Sequence, residues 1–382
     1  GHFTRVVRAD PKRKGLLYAG TESGMYISFD DGKSWNSFQL NLPIVPITDL
    51  AIKNDNLIAA TQGRSLWLID DLTPLHQLSD EVANSDFYLF DPMPSYRMDG
   101  GAGRPSKTEG QNHPGGVMVS YLIKALTDST KVRLEFFDSK GKLIRAFDTK
   151  PDKEKKEVEL KGLKEGGNIF VWDMRYQPAS DFEGMILWWA SMQGPKALPG
   201  KYTVKLSVDG KSMESDFEIL KDPRSKATMA DMQAKFDFLM KVSSKVSESH
   251  EAITEMRSAK AQINQVIDRL KDKEVFEDVV EKAKTINKSI TEVEKALYQT
   301  KNKSLQDPLN YPIKLTNKLA HLNSLEGMSD FAPTSQSEAF RKEVTSKIDA
   351  QLLKWENIRE NEIPELNRMV KEGQIDAIIL DD

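Results

Sequence analysis

The residues whose types and spacing most clearly suggest chemistry lie between Ser28 and Trp35, in a stretch with the sequence Ser-Phe-Asp-Asp-Gly-Lys-Ser-Trp. The Ser28 hydroxyl and the Asp30 carboxylate can exchange hydrogen bonds with the backbone of a tight turn. Gly32 can adopt the positive φ that such a turn requires, and Ser34 and Trp35 follow where the chain leaves it. The spacing therefore predicts a structural turn, and we expect none of these five residues to be catalytic.

Two pairs of adjacent carboxylates, Asp30-Asp31 and Asp70-Asp71, resemble the paired acids that cleave glycosidic bonds. The first pair belongs to the predicted turn, and the second follows an apolar run that ends a predicted strand. Turn chemistry explains both pairs without catalysis. We therefore assign no catalytic residue in this chain.

Trp188 and Trp189 form the second candidate site, a platform on which a sugar ring could stack. The alternative is packing within the core or between domains. Adjacent residues in a β-sandwich point to opposite faces, so at most one of the two indoles would be exposed. The sequence favours packing over carbohydrate binding.

Composition excludes several classes of function. The chain has 382 residues, enough for two or three domains, and its 54 basic and 58 acidic residues give a net charge of −4. This balance lacks the basic excess typical of nucleic-acid binding. There is no cysteine, and the five histidines never occur at helical or hairpin spacing, so we expect no metal and no cofactor. No run of 18 apolar residues predicts a membrane span.

Three blocks of different composition follow one another along the chain. Residues 1–80 contain short apolar runs between turn residues, which predict an antiparallel β meander. Residues 86–223 contain about seven strands and predict an immunoglobulin- or fibronectin-like β-sandwich. Residues 226–382 carry heptad spacing of apolar residues and predict an antiparallel helical bundle or hairpin. The predicted fold class is thus multidomain β plus α.

Heptad columns at 239–270 and 276–297 predict two helices joined by a turn at Asp272-Lys273. Full overlap of the two helices would bring Val242 close to residues 290–297. A last helix begins after a cap at residues 334–336 and carries Phe340, Val344, Ile348, Leu352 and Trp355 on its apolar side. Pro364 predicts a kink or a restart of this helix.

The motif at residues 28–35 matches S-x-D-x-G-x-[ST]-W and resembles the Asp box of bacterial neuraminidase repeat (BNR) β-propellers. Sortilin-like receptors and sialidase-like and xyloglucanase-like hydrolases share this propeller. The stretches 9–26 and 61–72 resemble propeller strands in large bacterial proteins of this type. In those proteins a β-sandwich and a helical segment follow, and residues 168–176 and 198–204 resemble that sandwich.

This resemblance implies a C-terminal region of an exported protein, with a periplasmic or extracellular location. One Asp box and about one and a half blades cannot close a propeller, so the resemblance implies further blades upstream as partners. It favours a non-catalytic scaffold and interaction role, with carbohydrate or protein as ligand. One alternative is a supporting part of a sialidase-like or xyloglucanase-like glycoside hydrolase, whose active site lies in the upstream blades. Another is a sortilin-like module that binds protein or peptide.

Overall fold

The fold was analysed in a computed structural model that describes residues 3–100, 110, 112–152 and 157–375. The chain is a mixed β and α protein and divides into two compact units. The first, here called the β unit, comprises Gly1–Met174 and Pro199–Asp222. The second, here called the helical unit, comprises Arg175–Leu198 and Pro223–Asp382. Each unit is described separately below.

Two small antiparallel sheets begin the β unit. The first contains β1 (Thr4–Ala9), β2 (Leu17–Thr21), β3 (Gly24–Ser28) and β4 (Asn36–Ser37), and the second contains β5 (Ile47–Lys53), β6 (Asn56–Thr61) and β7 (Leu66–Ile69). Neighbours in each sheet are also neighbours in the chain, which confirms the predicted antiparallel meander. The buried residues Leu16, Tyr18, Ile47, Leu50 and Leu57 belong to one hydrophobic cluster that the two sheets share.

Two short helices that the sequence did not predict follow these sheets. The first, α1 (Thr73–Gln77), has a proline in its first turn, where the missing amide hydrogen costs nothing. The second, α2 (Asp80–Asn84), begins at Ser79, whose hydroxyl accepts a hydrogen bond from the Val82 amide. Each has five residues, too few for an apolar periodicity to be recognised in the sequence.

The other strands of the β unit, among the residues described, form two further sheets. Their strands are β8 (Phe87–Leu89), β9 (Ser95–Tyr96), β10 (Val117–Ile123), β11 (Val132–Asp138), β12 (Leu143–Asp148), β13 (Val158–Glu159), β14 (Gly166–Trp172), β15 (Gly200–Val208) and β16 (Lys211–Leu220). The orders are β14-β10-β8 and β13-β12-β11-β15-β16-β9. Phe136 on β11 stacks on Trp172 on β14, with ring centroids 4.5 Å apart, so one aromatic cluster joins the two sheets.

Two predicted hairpins are present in the larger of these sheets. The β15–β16 hairpin turns at Asp209 and Gly210, which both have positive φ. The β11–β12 hairpin turns through Gly141, with a φ of 74°. Two pairings differ from the antiparallel expectation, because β13 runs parallel to β12 and β9 runs parallel to β16.

The predicted boundary of the sandwich at 86–223 does not follow the division of the chain into units. Residues Arg175–Leu198, between β14 and β15, group with the helices. The reason is apolar packing, because Phe182, Met185 and Leu187 lie against the hydrophobic core of the helical unit. This segment, here called the Arg175–Leu198 loop, contains no strand or helix.

In the part of the helical unit that the structure describes, five α-helices follow. They are α3 (Met229–Leu270), α4 (Glu277–Leu297), α5 (Leu315–Glu326), α6 (Ser335–Asn357) and α7 (Ile363–Glu372), with 3-10 turns at Glu274–Phe276 and Asp307–Leu309. Thr228 caps α3, and Thr334 caps α6 at the predicted position. A π-helical turn, Ile358–Glu362, separates α6 from α7, so the predicted restart at Pro364 is confirmed.

The second long helix runs back along the first, as the heptad columns predict. Asn287 on α4 donates to Asn264 on α3 at 2.6 Å, and Arg257 on α3 donates to Glu294 on α4 at 2.8 Å. The expected contact of Val242 with residues 290–297 is wrong. Val242 lies about 22 Å further along the α3 axis than Arg257, since each residue adds 1.5 Å.

The first half of α3 packs instead against α5 and α6. Lys235 on α3 forms a buried ion pair with Glu326 at the end of α5. Lys245 on α3 contacts Asp349 on α6 at 2.7 Å. Just beyond the midpoint of α3, Glu255 accepts a hydrogen bond from the Trp355 indole of α6. Phe340 was expected on the apolar side of α6 that faces the core, but it is 39% exposed.

Candidate functional site

The five residues predicted to form a structural turn share one hydrogen-bond network. The Asp30 Oδ1 atom accepts from the Ser34 amide at 2.9 Å and from the Ser28 hydroxyl at 2.8 Å, and Oδ2 accepts from the Ser34 hydroxyl at 2.6 Å. The Ser28 hydroxyl in turn accepts from the Gly32 amide at 2.9 Å. We call residues 28–35 the Asp30 turn. Both carboxylate oxygens are engaged within it.

The backbone of the Asp30 turn needs two residues with positive φ. Asp31 has a φ of 64° and Gly32 a φ of 85°, and a left-handed aspartate is tolerated better than most residues. The Trp35 indole donates to the Gly32 carbonyl at 3.1 Å. Trp35 stays 38% exposed, so it covers the turn at the surface and does not enter the core.

The ionisation of Asp30 agrees with a structural role. The hydroxyl and the amide of Ser34, and then the Ser28 hydroxyl, lower the pKa of Asp30 to about 2. A general acid must carry a proton near the working pH, and a general base needs a free oxygen directed at substrate. The Asp30 carboxylate has neither property. Of the second carboxylate pair, Asp71 accepts from the Thr73 amide at 2.8 Å at the start of α1.

A second polar cluster in the β unit was not predicted from the sequence. The buried Asp10 carboxylate accepts from the Lys12 and Arg13 amides at 2.8 and 2.9 Å. It also accepts from the Tyr18 hydroxyl at 3.0 Å and from the His76 Nε2 atom at 2.9 Å. Asp10 therefore ties the loop before β2 to α1. His76 is 66 positions away, and no local spacing connects it with Asp10.

The Asp10 cluster has the composition of a catalytic site but not its accessibility. Burial tends to raise the pKa of Asp10, but hydrogen bonds from the Arg13 and Lys12 amides, His76 and Tyr18 outweigh it, so the pKa is lowered. Burial, and then the Asp10 charge, raises the pKa of Tyr18. The Tyr18 side chain is fully buried, so it cannot reach a substrate as a nucleophile. The cluster stabilises the fold.

The predicted platform residues Trp188 and Trp189 lie in the Arg175–Leu198 loop and not in a strand. The side chain of Asn317 on α5 forms hydrogen bonds with both the backbone amide and the backbone carbonyl of Trp188. Its Oδ1 atom accepts from the Trp188 amide at 2.7 Å, and its Nδ2 atom donates to the Trp188 carbonyl at 2.8 Å. One turn later on α5, the Nδ1 atom of His321 donates to the Trp189 carbonyl at 2.7 Å. No local spacing connects these partners, which are 129 and 132 positions apart in the chain.

The two indoles lie side by side. Their ring centroids are 6.4 Å apart and the ring planes are inclined at 48°. Trp189 is 71% exposed, and Trp188 is half-buried. Trp189 has a φ of 49°, in the left-handed region. The expectation that the two side chains point to opposite faces of a sheet does not hold, because no strand passes through them.

Two of the charge clusters in the helical unit contain a buried carboxylate, and in both the carboxylate is paired. Glu294 on α4 contacts Arg257 at 2.8 Å and Lys260 at 3.3 Å, both on α3. Burial tends to raise the pKa of Glu326, but the hydrogen bond and charge of Lys235 outweigh it, so the pKa is lowered. Paired charges of this kind fix how helices pack and leave no group free for chemistry.

Neither a metal site nor a membrane helix is found in the described ranges. No group of three or more histidine, aspartate or glutamate side chains there is arranged to hold an ion. None of the helices in those ranges combines the length and the low charge that crossing a bilayer requires.

Comparison with known proteins adds little to this geometry. No family model matches the chain, and no curated protein matches it. Among solved structures, one titled pT26-6p covers 94% of this chain and 68% of its own, with 10% sequence identity and a TM-score of 0.15. A TM-score this low carries no argument about fold or function.

Proposed function

We propose that this chain is a non-catalytic scaffold and interaction region of an exported Asp-box β-propeller protein. The observation that carries the proposal is the Asp30 turn, in which every residue of the motif has a hydrogen-bond role and both carboxylate oxygens are engaged. A turn built in this way stabilises a strand connection and leaves nothing for catalysis. The proposal includes a periplasmic or extracellular location, which rests on the resemblance alone.

The arrangement of the first seven strands supports the propeller part of the proposal. A four-stranded and a three-stranded antiparallel meander share one core, as neighbouring propeller blades would. Large apolar side chains at the surface of these sheets support further blades as partners, because blades need a neighbour on each side. On β7, Leu66 is 69% exposed and Leu68 is 52% exposed.

The rest of the proposed architecture is an immunoglobulin-like sandwich followed by an antiparallel helical bundle. The aromatic cluster between the sheets of β10–β14 and β11–β12 supports the sandwich. The reversed direction of α4 relative to α3 supports the bundle. In this proposal both parts position the propeller and offer surface to ligands.

Hydrolysis assays test the non-catalytic role. The purified chain should show no turnover of sialosides, xyloglucan or aryl glycosides, with an active sialidase and an active xyloglucanase as positive controls. The expectation rests on the Asp30 carboxylate, both of whose oxygens are engaged within their own turn, and on the resemblance, which implies an active site in the upstream blades. Turnover that a single aspartate or glutamate substitution abolishes would refute the proposal.

The two alternatives differ in what the complete protein does. In one, the chain supports a sialidase-like or xyloglucanase-like hydrolase; in the other, it belongs to a sortilin-like module that binds protein or peptide. The coding sequence upstream of Gly1 distinguishes them. An arginine triad or paired aspartates among further Asp boxes would favour the hydrolase, and their absence would favour binding.

A further inference from the structure

The backbone at Trp189 has a conformation that a bulky residue rarely adopts. A φ of 49° places it in the left-handed region, where the side chain crowds its own carbonyl. Such conformations persist only where surrounding contacts impose them, and they are concentrated at functional sites. Here Asn317 and His321 impose the conformation through three hydrogen bonds to the backbone of Trp188 and Trp189.

The left-handed residue has a direct consequence for the two indoles. In extended backbone, consecutive side chains point in opposite directions. The kink at Trp189 instead brings the two ring centroids to within 6.4 Å. Trp188 packs partly into the unit, while most of the Trp189 indole faces solvent. The strained backbone at Trp189 therefore places the exposed indole beside the indole of Trp188.

The loop that carries the two indoles is closed at its base. The Tyr176 amide donates to the Pro195 carbonyl, and the Ala179 amide donates to the Met192 carbonyl, both at 2.9 Å. Between these points the Ile186 amide donates to the Tyr298 hydroxyl at 2.8 Å. A closed loop fixed to helices along its length presents an aromatic ring in a defined orientation, as binding loops on rigid scaffolds do.

We propose that Trp188 and Trp189 form a carbohydrate-binding platform, in which the Trp189 indole stacks on the apolar face of a pyranose ring. The indole offers a flat apolar surface with negative charge density on its face, which suits the C–H groups of a sugar. The Trp188 ring, inclined at 48°, forms a wall beside the bound ring. This inference goes beyond the scaffold role proposed above.

The polar partner at this platform is His321. Its Nδ1 atom carries the hydrogen that is donated to the Trp189 carbonyl, so its Nε2 atom is an acceptor in the neutral ring. Within the described residues, Nε2 has no hydrogen-bond partner. Sugar hydroxyls surround the apolar face of a pyranose and can donate to this atom. Proline-rich peptides also dock on aromatic surfaces, but a proline ring in contact with the indole carries no donor, whereas a pyranose ring carries several hydroxyl donors, so the acceptor favours a sugar.

Affinity electrophoresis of the full chain tests the platform. The native protein is run in gels that contain xyloglucan, galactomannan, xylan or hydroxyethyl cellulose, and mobility is measured against polysaccharide concentration. We expect retardation by at least one of these polymers. Trp189→Ala should weaken that binding about tenfold or more, which is the usual effect of removing a central aromatic contact. Trp189→Phe should retain part of it.

The matched control is Phe331→Ala, which removes another exposed aromatic ring of the helical unit and should leave the retardation unchanged. Circular dichroism of each variant establishes that it is folded. The proposal is overturned if none of the polymers retards the native chain, or if Trp189→Ala is retarded as strongly as the native chain. Binding of a polyproline peptide without binding of any polysaccharide would also overturn it. None of these results would affect the scaffold proposal, which the hydrolysis assays test.

Discussion

The Asp30 turn and the Arg175–Leu198 loop each contain a tryptophan and at least one residue with positive φ. They differ in which residues form the hydrogen bonds that stabilise them. In the Asp30 turn every bond named above joins residues at most four positions apart. In the loop, the bonds to Trp188 come from Asn317, 129 positions away. The side-chain network of the first is therefore local, although the Asp31 amide also donates to the Gly15 carbonyl at 3.0 Å. The second depends on a folded helical unit.

This difference explains what each region can do. A turn closed by its own side chains uses its polar groups internally, and both oxygens of the Asp30 carboxylate accept hydrogen bonds within the turn. A loop held through its backbone leaves its side chains available, as the exposed Trp189 indole shows. The turn stabilises the fold, whereas the loop can present a side chain to a ligand.

The largest expected effect comes from breaking the helical core on which the loop depends. Ile253→Asp places a carboxylate at a fully buried position of α3. We expect it to lower the unfolding free energy of the helical unit by about 3–5 kcal/mol, because the buried charge has no partner. Urea unfolding followed by circular dichroism at 222 nm measures the change.

The control for this variant is Leu353→Asp on α6, where the side chain is 66% exposed. Its effect should stay within about 0.5 kcal/mol, as for most surface substitutions. Hydrogen exchange should show that Ile253→Asp releases residues 186–190 but leaves the Asp30 turn protected. Equal loss of protection in both regions would contradict the distinction between local and long-range stabilisation.

A smaller effect is expected from removing the side chain that holds the loop. Asn317→Ala leaves the amide and the carbonyl of Trp188 without their partner, at a site where Asn317 is itself buried. The expected loss of stability is about 1–3 kcal/mol, the cost of unsatisfied polar groups. Hydrogen exchange of residues 186–190 should become faster.

Asn323→Ala provides the matched comparison for this variant. Asn323 is also on α5 and buried, but it makes one bond to the loop, donating to the Ser191 carbonyl at 3.1 Å. Its removal should therefore cost less and should affect residues near Ser191 more than Trp188. If the two variants change exchange at Trp188 equally, Asn317 does not have the special role that its two bonds indicate.

The sequence was sufficient wherever the determining interactions are local. Heptad spacing located α3 and α4, and Thr334 marked the start of α6. Asp209-Gly210 marked a hairpin, because few residues adopt two successive positive φ values. The Asp-box spacing identified the five residues of one turn network, because every side-chain bond in it joins residues at most four positions apart.

The sequence was insufficient where partners are far apart in the chain. His76 beside Asp10, and Asn317 beside Trp188, are brought together only by tertiary packing. Residues 175–198 lie within the predicted sandwich range 86–223 but pack with the helices, because apolar residues in a sequence do not show which core will bury them. Heptad positions also do not show how far two helices overlap. Because α4 has 21 residues and α3 has 42, α4 covers only part of α3.

The smallest expected effect is the acid titration of the Asp30 turn. The folded-state pKa of Asp30, about 2, lies below the ordinary value of 3.8, so the ionised carboxylate stabilises the turn. This stabilisation is complete above about pH 4 and is lost as the pH falls towards 2. The Trp35 indole resonance reports the change, because its N–H donates to Gly32 inside the turn. In protein labelled with ¹⁵N at the indole nitrogens, the Trp35 resonance should titrate with a midpoint near pH 2. The other indole resonances should keep their native positions over the same pH range, which shows that the protein remains folded. Asp30→Asn, which cannot ionise, should abolish the titration, and a midpoint near 3.8 in the native protein would show that the carboxylate is not held by the turn.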